Sequence, residues 1–194
     1  MDHIKQLFEF NPIVAAVRDV KQIEDASKSN VQVIFLMTGD IFNIKHCVDT
    51  AKQHKKSIFL HVDLMKGIAK DKEGIKYLAR EIKPDGIITT KSNLIKVAKK
   101  EELIAIQHLF FLDTHAFTSG VRNIMETKPD AIEIMPGLMP RVIKDLSKAC
   151  PYPIISAGLI KSHEEILEGL GAGSNAVAVG ASELWKLKLE LSIL

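Results

Sequence analysis

Two cysteines, Cys47 and Cys150, are all that this 194-residue chain carries. That is too few, and too unpatterned, for a disulfide scaffold or a cysteine-based zinc motif. Aromatic residues make up only 6%, and no aromatic-rich strand motif of the RNA-recognition type occurs. An excess of one charge is missing too: 26 Lys and Arg stand against 24 Asp and Glu, a formal net charge of +2. Such a balance creates no global field for a polyanion, so a nucleic-acid partner requires a local patch. No apolar run approaches the roughly 20 residues of a membrane-spanning helix. The stretch 1–12 sets Ile4, Leu7 and Phe8 among Asp2, Lys5 and Glu9, which reads as a short amphipathic helix and not as a signal peptide. These absences predict a protein of the reducing cytoplasm that has no membrane contact.

What is present suffices for a buried core: 46% of residues are hydrophobic and the mean hydropathy is +0.09. With no linker or low-complexity tract, one domain over 1–194 is expected. Short β-rich runs occur at 13–17, 31–37, 57–62, 86–89, 103–109, 131–135, 154–156 and 176–179. They are continuous and not alternating, as strands buried on both faces should be. Helical patterns with polar faces lie between them at 41–54, 72–81, 93–100, 141–149 and 164–170. Eight βα units in succession predict a compact (β/α)8 TIM barrel of parallel strands, although the count alone leaves an open doubly wound sheet available. Lys83-Pro84-Asp85-Gly86-Ile87-Ile88 recurs as Lys128-Pro129-Asp130-Ala131-Ile132-Glu133. Each copy marks a helix-to-strand turn in which Pro presets the backbone and Asp is expected to bond the backbone ahead of it.

The last two strand runs lead into Ser156-Ala157-Gly158 and Gly180-Ala181-Ser182. In a barrel their C-terminal ends are neighbours, which sets Gly158 and Gly180 side by side at the face where such folds bind ligands. Glycine lets backbone N–H groups approach an anion closely, and a short helix beginning near Ala181 would add its positive end. A phosphate cup is therefore expected at Ser156, Gly158, Gly180 and Ala181; purely structural turn glycines are the competing explanation.

Other strand ends supply a polar mouth. Arg18 suits a phosphate or carboxylate, or else pairs with Asp19 or Asp40. Asp63 and Glu133 suit ligand hydroxyls or a general base, or pair with Arg18 or Lys91. His61 and His108 with Asp63 could be read as metal ligands, but no tight helical or cysteine-containing spacing favours a metal. The strand runs contain no lysine, which disfavours Schiff-base aldolase chemistry. The basic groups Lys52, Lys55, Lys56 and Lys96, Lys99, Lys100 read as solvated faces, so no RNA-contacting residue is named.

Several strings are similar to the glycerol uptake operon antiterminator family of glycerol-3-phosphate-responsive regulators. They are Asn11-Pro12-Ile13-Val14-Ala15-Ala16-Val17-Arg18-Asp19, Val33-Ile34-Phe35-Leu36-Met37-Thr38-Gly39-Asp40-Ile41 and His61-Val62-Asp63-Leu64. The more distinctive are Lys83-Pro84-Asp85-Gly86-Ile87-Ile88-Thr89-Thr90-Lys91-Ser92-Asn93 and Ile132-Glu133-Ile134-Met135-Pro136-Gly137. The resemblance implies a non-catalytic regulator with no cofactor beyond its effector. Glycerol 3-phosphate would bind the barrel, and the liganded protein would bind leader mRNA of glycerol-utilisation genes and prevent premature termination. The expected ligand-binding set is Arg18, Asp63, Lys91, Glu133, Ser156, Gly158, Gly180 and Ala181, with no catalytic and no metal-binding residue. A phosphate-substrate barrel enzyme, an isomerase or a phosphodiesterase, is the alternative. A binding protein acting through a protein partner is a third reading. A homodimer through exposed helix faces is compatible with any of the three.

Overall fold

In the computed structural model, which describes residues 2–189, eight parallel strands close into a barrel in sequence order. They are β1 (Ile13–Val17), β2 (Val33–Leu36), β3 (Ser57–His61), β4 (Gly86–Thr89), β5 (Ile104–Phe110), β6 (Ala131–Met135), β7 (Ile154–Ala157) and β8 (Ala176–Val179). Helix α1 (Asp2–Glu9) precedes β1. Helices α2 (Ile23–Lys28), α3 (Ile44–Gln53), α4 (Lys72–Tyr77), α5 (Ser92–Lys100), α6 (Thr114–Thr127), α7 (Pro140–Ala149) and α8 (His163–Gly171) follow β1 to β7 in turn. The fold is a compact (β/α)8 barrel, and none of its described helices is long and apolar enough to cross a membrane.

Strand period decides where each side chain goes. Val14, Val33, Phe35, Phe59, Ile106 and Ile155 fill the barrel interior, where Phe35 and Phe59 meet edge to face with centroids 5.7 Å apart. Ile4 and Phe8 of α1 join this cluster. The intervening residues, such as Ile13, Ala15, Ile34 and Leu60, pack outward against the helices. Both faces are thus apolar, which is why the runs in the sequence are continuous. Truncating Phe35 or Phe59 to Ala would cost about 3–5 kcal/mol.

The repeated Lys-Pro-Asp turn has a geometric role different from the expected one. Asp85 accepts a hydrogen bond from the Ile58 N–H of β3 at 2.8 Å, and Asp130 accepts one from the Ala105 N–H of β5 at 2.9 Å. Each Asp therefore ties the base of its own strand to the previous neighbour and not to the backbone ahead. Asn175 repeats the device with the Ile154 N–H at 3.0 Å. Lys83 and Lys128, with φ of 60° and 51°, carry the left-handed residue that ends the preceding helical segment.

Some boundaries differ from the pattern-based ones. The carboxylate of Asp40 accepts from the N–H groups of Phe42 and Asn43, which holds 40–43 in a turn and delays α3 to Ile44. Helix α4 passes into a π turn at Leu78–Ile82. Helices α2 and α6 gave no pattern: α2 has six residues, and α6 buries only Gly120, Ile124 and Thr127. The helix anticipated near Ala181 is a five-residue 3-10 turn, Ser182–Lys186, pinned by the Trp185 indole N–H donating to the Val179 carbonyl at 2.8 Å.

Candidate functional site

A cavity of about 310 Å³ opens at the C-terminal end of the barrel, between the ends of β1, β6, β7 and β8. Arg18, Glu133, Gly158, Gly180 and Ala181 line it, together with Ala16, Met37, Met135 and Lys161, which the sequence had not singled out. Five of the eight expected ligand residues are brought together. The other three stand elsewhere.

The cup itself forms because the chain turns sharply after β7. Gly158 has φ +81° and Leu159 has φ +66°, two left-handed residues in succession. A Cβ on Gly158 would also stand 3.3 Å from the Met135 side chain. Gly180 has no such backbone demand: a Cβ there would meet Arg18 Nε and Cζ at 3.5 and 3.6 Å, ordinary contact for a methyl group, and a branched side chain would press on the guanidinium. Among the described residues, the N–H groups of Gly158, Leu159, Gly180 and Ala181 donate to no backbone carbonyl. No carboxylate there lies within 4.0 Å of the Arg18 guanidinium. Its two expected rivals are occupied, Asp19 with the Lys21 N–H and Asp40 with its own turn. Amides without a backbone acceptor and a guanidinium without a carboxylate partner among the described residues thus line one cavity, a combination that suits an anion. With a 3-10 turn in place of a helix after Ala181, individual N–H groups and not a macrodipole supply the positive potential.

Glu133 is only 1% exposed and forms part of the cavity's inner wall. It faces His108 directly across the β5–β6 ladder, with His108 Nδ1 and Glu133 Oε2 2.5 Å apart. His61 packs edge-on against His108, ring centroids 5.2 Å apart. Burial pushes the His61 imidazole below its ordinary range, more than the neighbouring Glu133 carboxylate raises it.

Asp63, Lys91 and Ser156 have other surroundings. Asp63 accepts hydrogen bonds from the Thr90 N–H at 2.7 Å and from the Thr89 and Thr90 hydroxyls at 3.0 Å each. Burial raises its carboxyl, but these three donors outweigh burial and hold it below the usual carboxylate range. The residue fastens the loop after β3 to the end of β4. Lys91 is exposed at the N-cap position of α5, outside the cavity lining. Ser156 corrects the expected cup: strand alternation turns Ile155 and Ala157 inward and Ser156 outward, where its Oγ lies 3.0 Å from the Cβ position of Gly169 in α8.

A second hollow of about 370 Å³ lies among the loops after β5 and β6, lined by residues including Phe111, Leu112, Asp113 and Arg141. Its lining puts Arg141 in company with two carboxylates, Asp113 and Asp145, whereas the cup's Arg18 shares its lining with one, Glu133. The smaller cup is therefore the better anion site.

The sequence from residue 13 to 185 matches the family model described as glycerol-3-phosphate responsive antiterminator. The chain belongs to that family. The Escherichia coli (strain K12) protein YgcP is 32% identical over 185 residues, covering 95% of this chain and 97% of YgcP. Among solved structures, the glycerol uptake operon antiterminator regulatory protein from Listeria monocytogenes superposes with a TM-score of 0.88 at 32% identity, covering 92% of this chain and 97% of that one. A glycerol uptake operon antiterminator-related protein from Thermotoga maritima gives 0.81 at 32% identity, covering 92% and 99%. In this member of the antiterminator family, both the cup and the buried Glu133–His108 pair belong to one end of one barrel.

Proposed function

We propose that this antiterminator-family chain senses glycerol 3-phosphate in the barrel mouth and, when liganded, binds the leader mRNA of glycerol-utilisation genes in the cytoplasm to prevent premature termination. The observation that carries the reading is that the Arg18 guanidinium, which has no carboxylate partner among the described residues, lines one cavity with Gly158, Leu159 and Ala181, whose N–H groups have no backbone acceptor there. These donors suit a phosphate monoester at one side of the cavity, and the Glu133 carboxylate suits hydroxyl groups at the inner wall. A cavity of about 310 Å³ lies at the small end of the usual ligand-pocket range, in keeping with a three-carbon phosphate. Arg18, Glu133, Gly158, Gly180 and Ala181 are the residues assigned to the ligand. Asp63, which fastens the loop after β3 to the end of β4, and the exposed Lys91 are not assigned to it, and the function requires no catalytic residue. Coupling to RNA follows if the ligand binds one arrangement of the mouth loops better than another.

Calorimetric titration with glycerol 3-phosphate, and gel shifts of a glycerol-operon leader RNA with and without it, test the two halves separately. Saturable ligand binding and a ligand-dependent shift are expected.

One feature favours a second reading. A buried carboxylate hydrogen-bonded to an imidazole beside a phosphate cup, as in Glu133 and His108, is chemistry that a proton-transfer isomerase could use. Isomerisation of a triose phosphate, lost in Glu133→Gln, would favour it.

A further inference from the structure

Beneath the cup, the barrel interior holds three buried groups side by side: His61 ending β3, His108 in β5 and Glu133 in β6, which are 5%, 2% and 1% exposed. The contact between His108 Nδ1 and Glu133 Oε2 satisfies one atom of each. His61 Nδ1, His108 Nε2 and Glu133 Oε1 remain enclosed with no hydrogen-bond partner among the described residues. Buried polar atoms without partners are rare in folded proteins, and three of them together require an explanation. One ligand atom from each residue lies within 4.8 Å of the other two. Asp63, the carboxylate that the chain order sets beside His61, is held by Thr89 and Thr90 and takes no part.

We propose that His61, His108 and Glu133 bind a divalent transition-metal ion at the inner wall of the ligand cavity, with zinc as the preferred ion. Two imidazole nitrogens and one carboxylate oxygen form a borderline donor set that suits zinc and its neighbours, whereas calcium and magnesium select oxygen-only shells. Zinc takes such ligands at about 2.0–2.2 Å. Neighbouring donors in a tetrahedral site then stand roughly 3.4 Å apart, so the trio closes by side-chain rotation around an entering ion. The three residues sit on strands of a closed barrel, which fixes their backbones and makes the rotation local. Three protein ligands leave a coordination position open. Because Glu133 also lines the cavity, that position faces the space assigned to the ligand and would take water or a hydroxyl oxygen of a bound polyol phosphate. The cluster alone supports the metal, so the proposal stands whether or not the chain binds RNA.

The test uses the full chain stripped with chelator and dialysed. Zinc is titrated calorimetrically, cobalt(II) is followed by visible absorption, and bound metal is counted after dialysis. One zinc per chain and a cobalt spectrum of low coordination number are expected, with affinity falling by more than about tenfold in His61→Gln, His108→Gln and Glu133→Gln. His115→Gln, a change on the exposed face of α6, should leave binding unchanged. These glutamine variants keep a polar group in place, and their melting curves report folding independently of metal. The proposal is overturned if the folded, stripped wild type binds no stoichiometric zinc, or if the three variants bind it as well as wild type does.

Discussion

Arg18 lies against the bare Cα of Gly180, so that a Cβ there would stand 3.5 Å from Nε and 3.6 Å from Cζ of the guanidinium. The contact is ordinary for one methyl group and obstructive for a branched one. Gly180 thus seats the cation that faces the cavity, and the pair separates ligand binding from folding experimentally.

Gly180→Val is expected to remove glycerol 3-phosphate binding while leaving the apo protein close to wild-type stability. A ligand at a hundred times its Kd stabilises by about 2.7 kcal/mol, and this increment should vanish in thermal melts of the variant. Arg18→Ala should do the same without any steric change. Equal losses with and without ligand would make Gly180 a purely structural residue.

Gly158 behaves differently because of its φ of +81°. Gly158→Ala is expected to cost about 1–2 kcal/mol in the apo protein itself, the ordinary penalty of a left-handed residue that carries a Cβ. Urea denaturation without ligand reads this directly, and an unchanged midpoint would contradict it. The adjacent Leu159, at φ +66° and 66% exposed, already bears that penalty. Leu159→Gly should therefore raise stability by about 1 kcal/mol.

Asp63→Ala is expected to destabilise by about 1–3 kcal/mol, because the Thr90 N–H and the two threonine hydroxyls lose their acceptor. Its effect on glycerol 3-phosphate affinity should be smaller than that of Arg18→Ala. Comparing the two by calorimetry decides whether Asp63 fastens the rim or touches the ligand.

Burial pushes the Cys47 thiol up to about 11, and Cys47 is 1% exposed. Between the ordinary thiol value near 9 and that raised value, the unfolded chain releases a proton that the folded chain keeps, so this group makes stability fall as pH rises. Cys47→Ala should lose more stability at pH 8 than at pH 10. Identical differences at both pH values would show that the thiol titrates normally in the fold.

The barrel was legible because burial on both strand faces writes itself as continuous apolar runs, and all eight strands overlap their runs. Helix α6 was not legible, since Gly120, Ile124 and Thr127 make a weak stripe and its start rests on one side-chain cap, the Asp113 carboxylate accepting from the Ala116 N–H. Gly158 and Gly180 were readable as strand-ending glycines that closure makes neighbours. Ser156 misled, although period-two alternation from Ala157 would have turned it outward. The His108–Glu133 contact spans 25 residues and depends on the β5–β6 register, which pairs them directly. A charged residue inside an apolar strand was its one visible signal.

The most direct test of the account is the affinity for a glycerol-operon leader RNA, measured by fluorescence anisotropy across a glycerol 3-phosphate titration in wild type and Arg18→Ala. Affinity should rise with ligand in wild type and stay flat in the variant. RNA affinity that ignores glycerol 3-phosphate in wild type, or RNA binding absent at every ligand concentration, would contradict it.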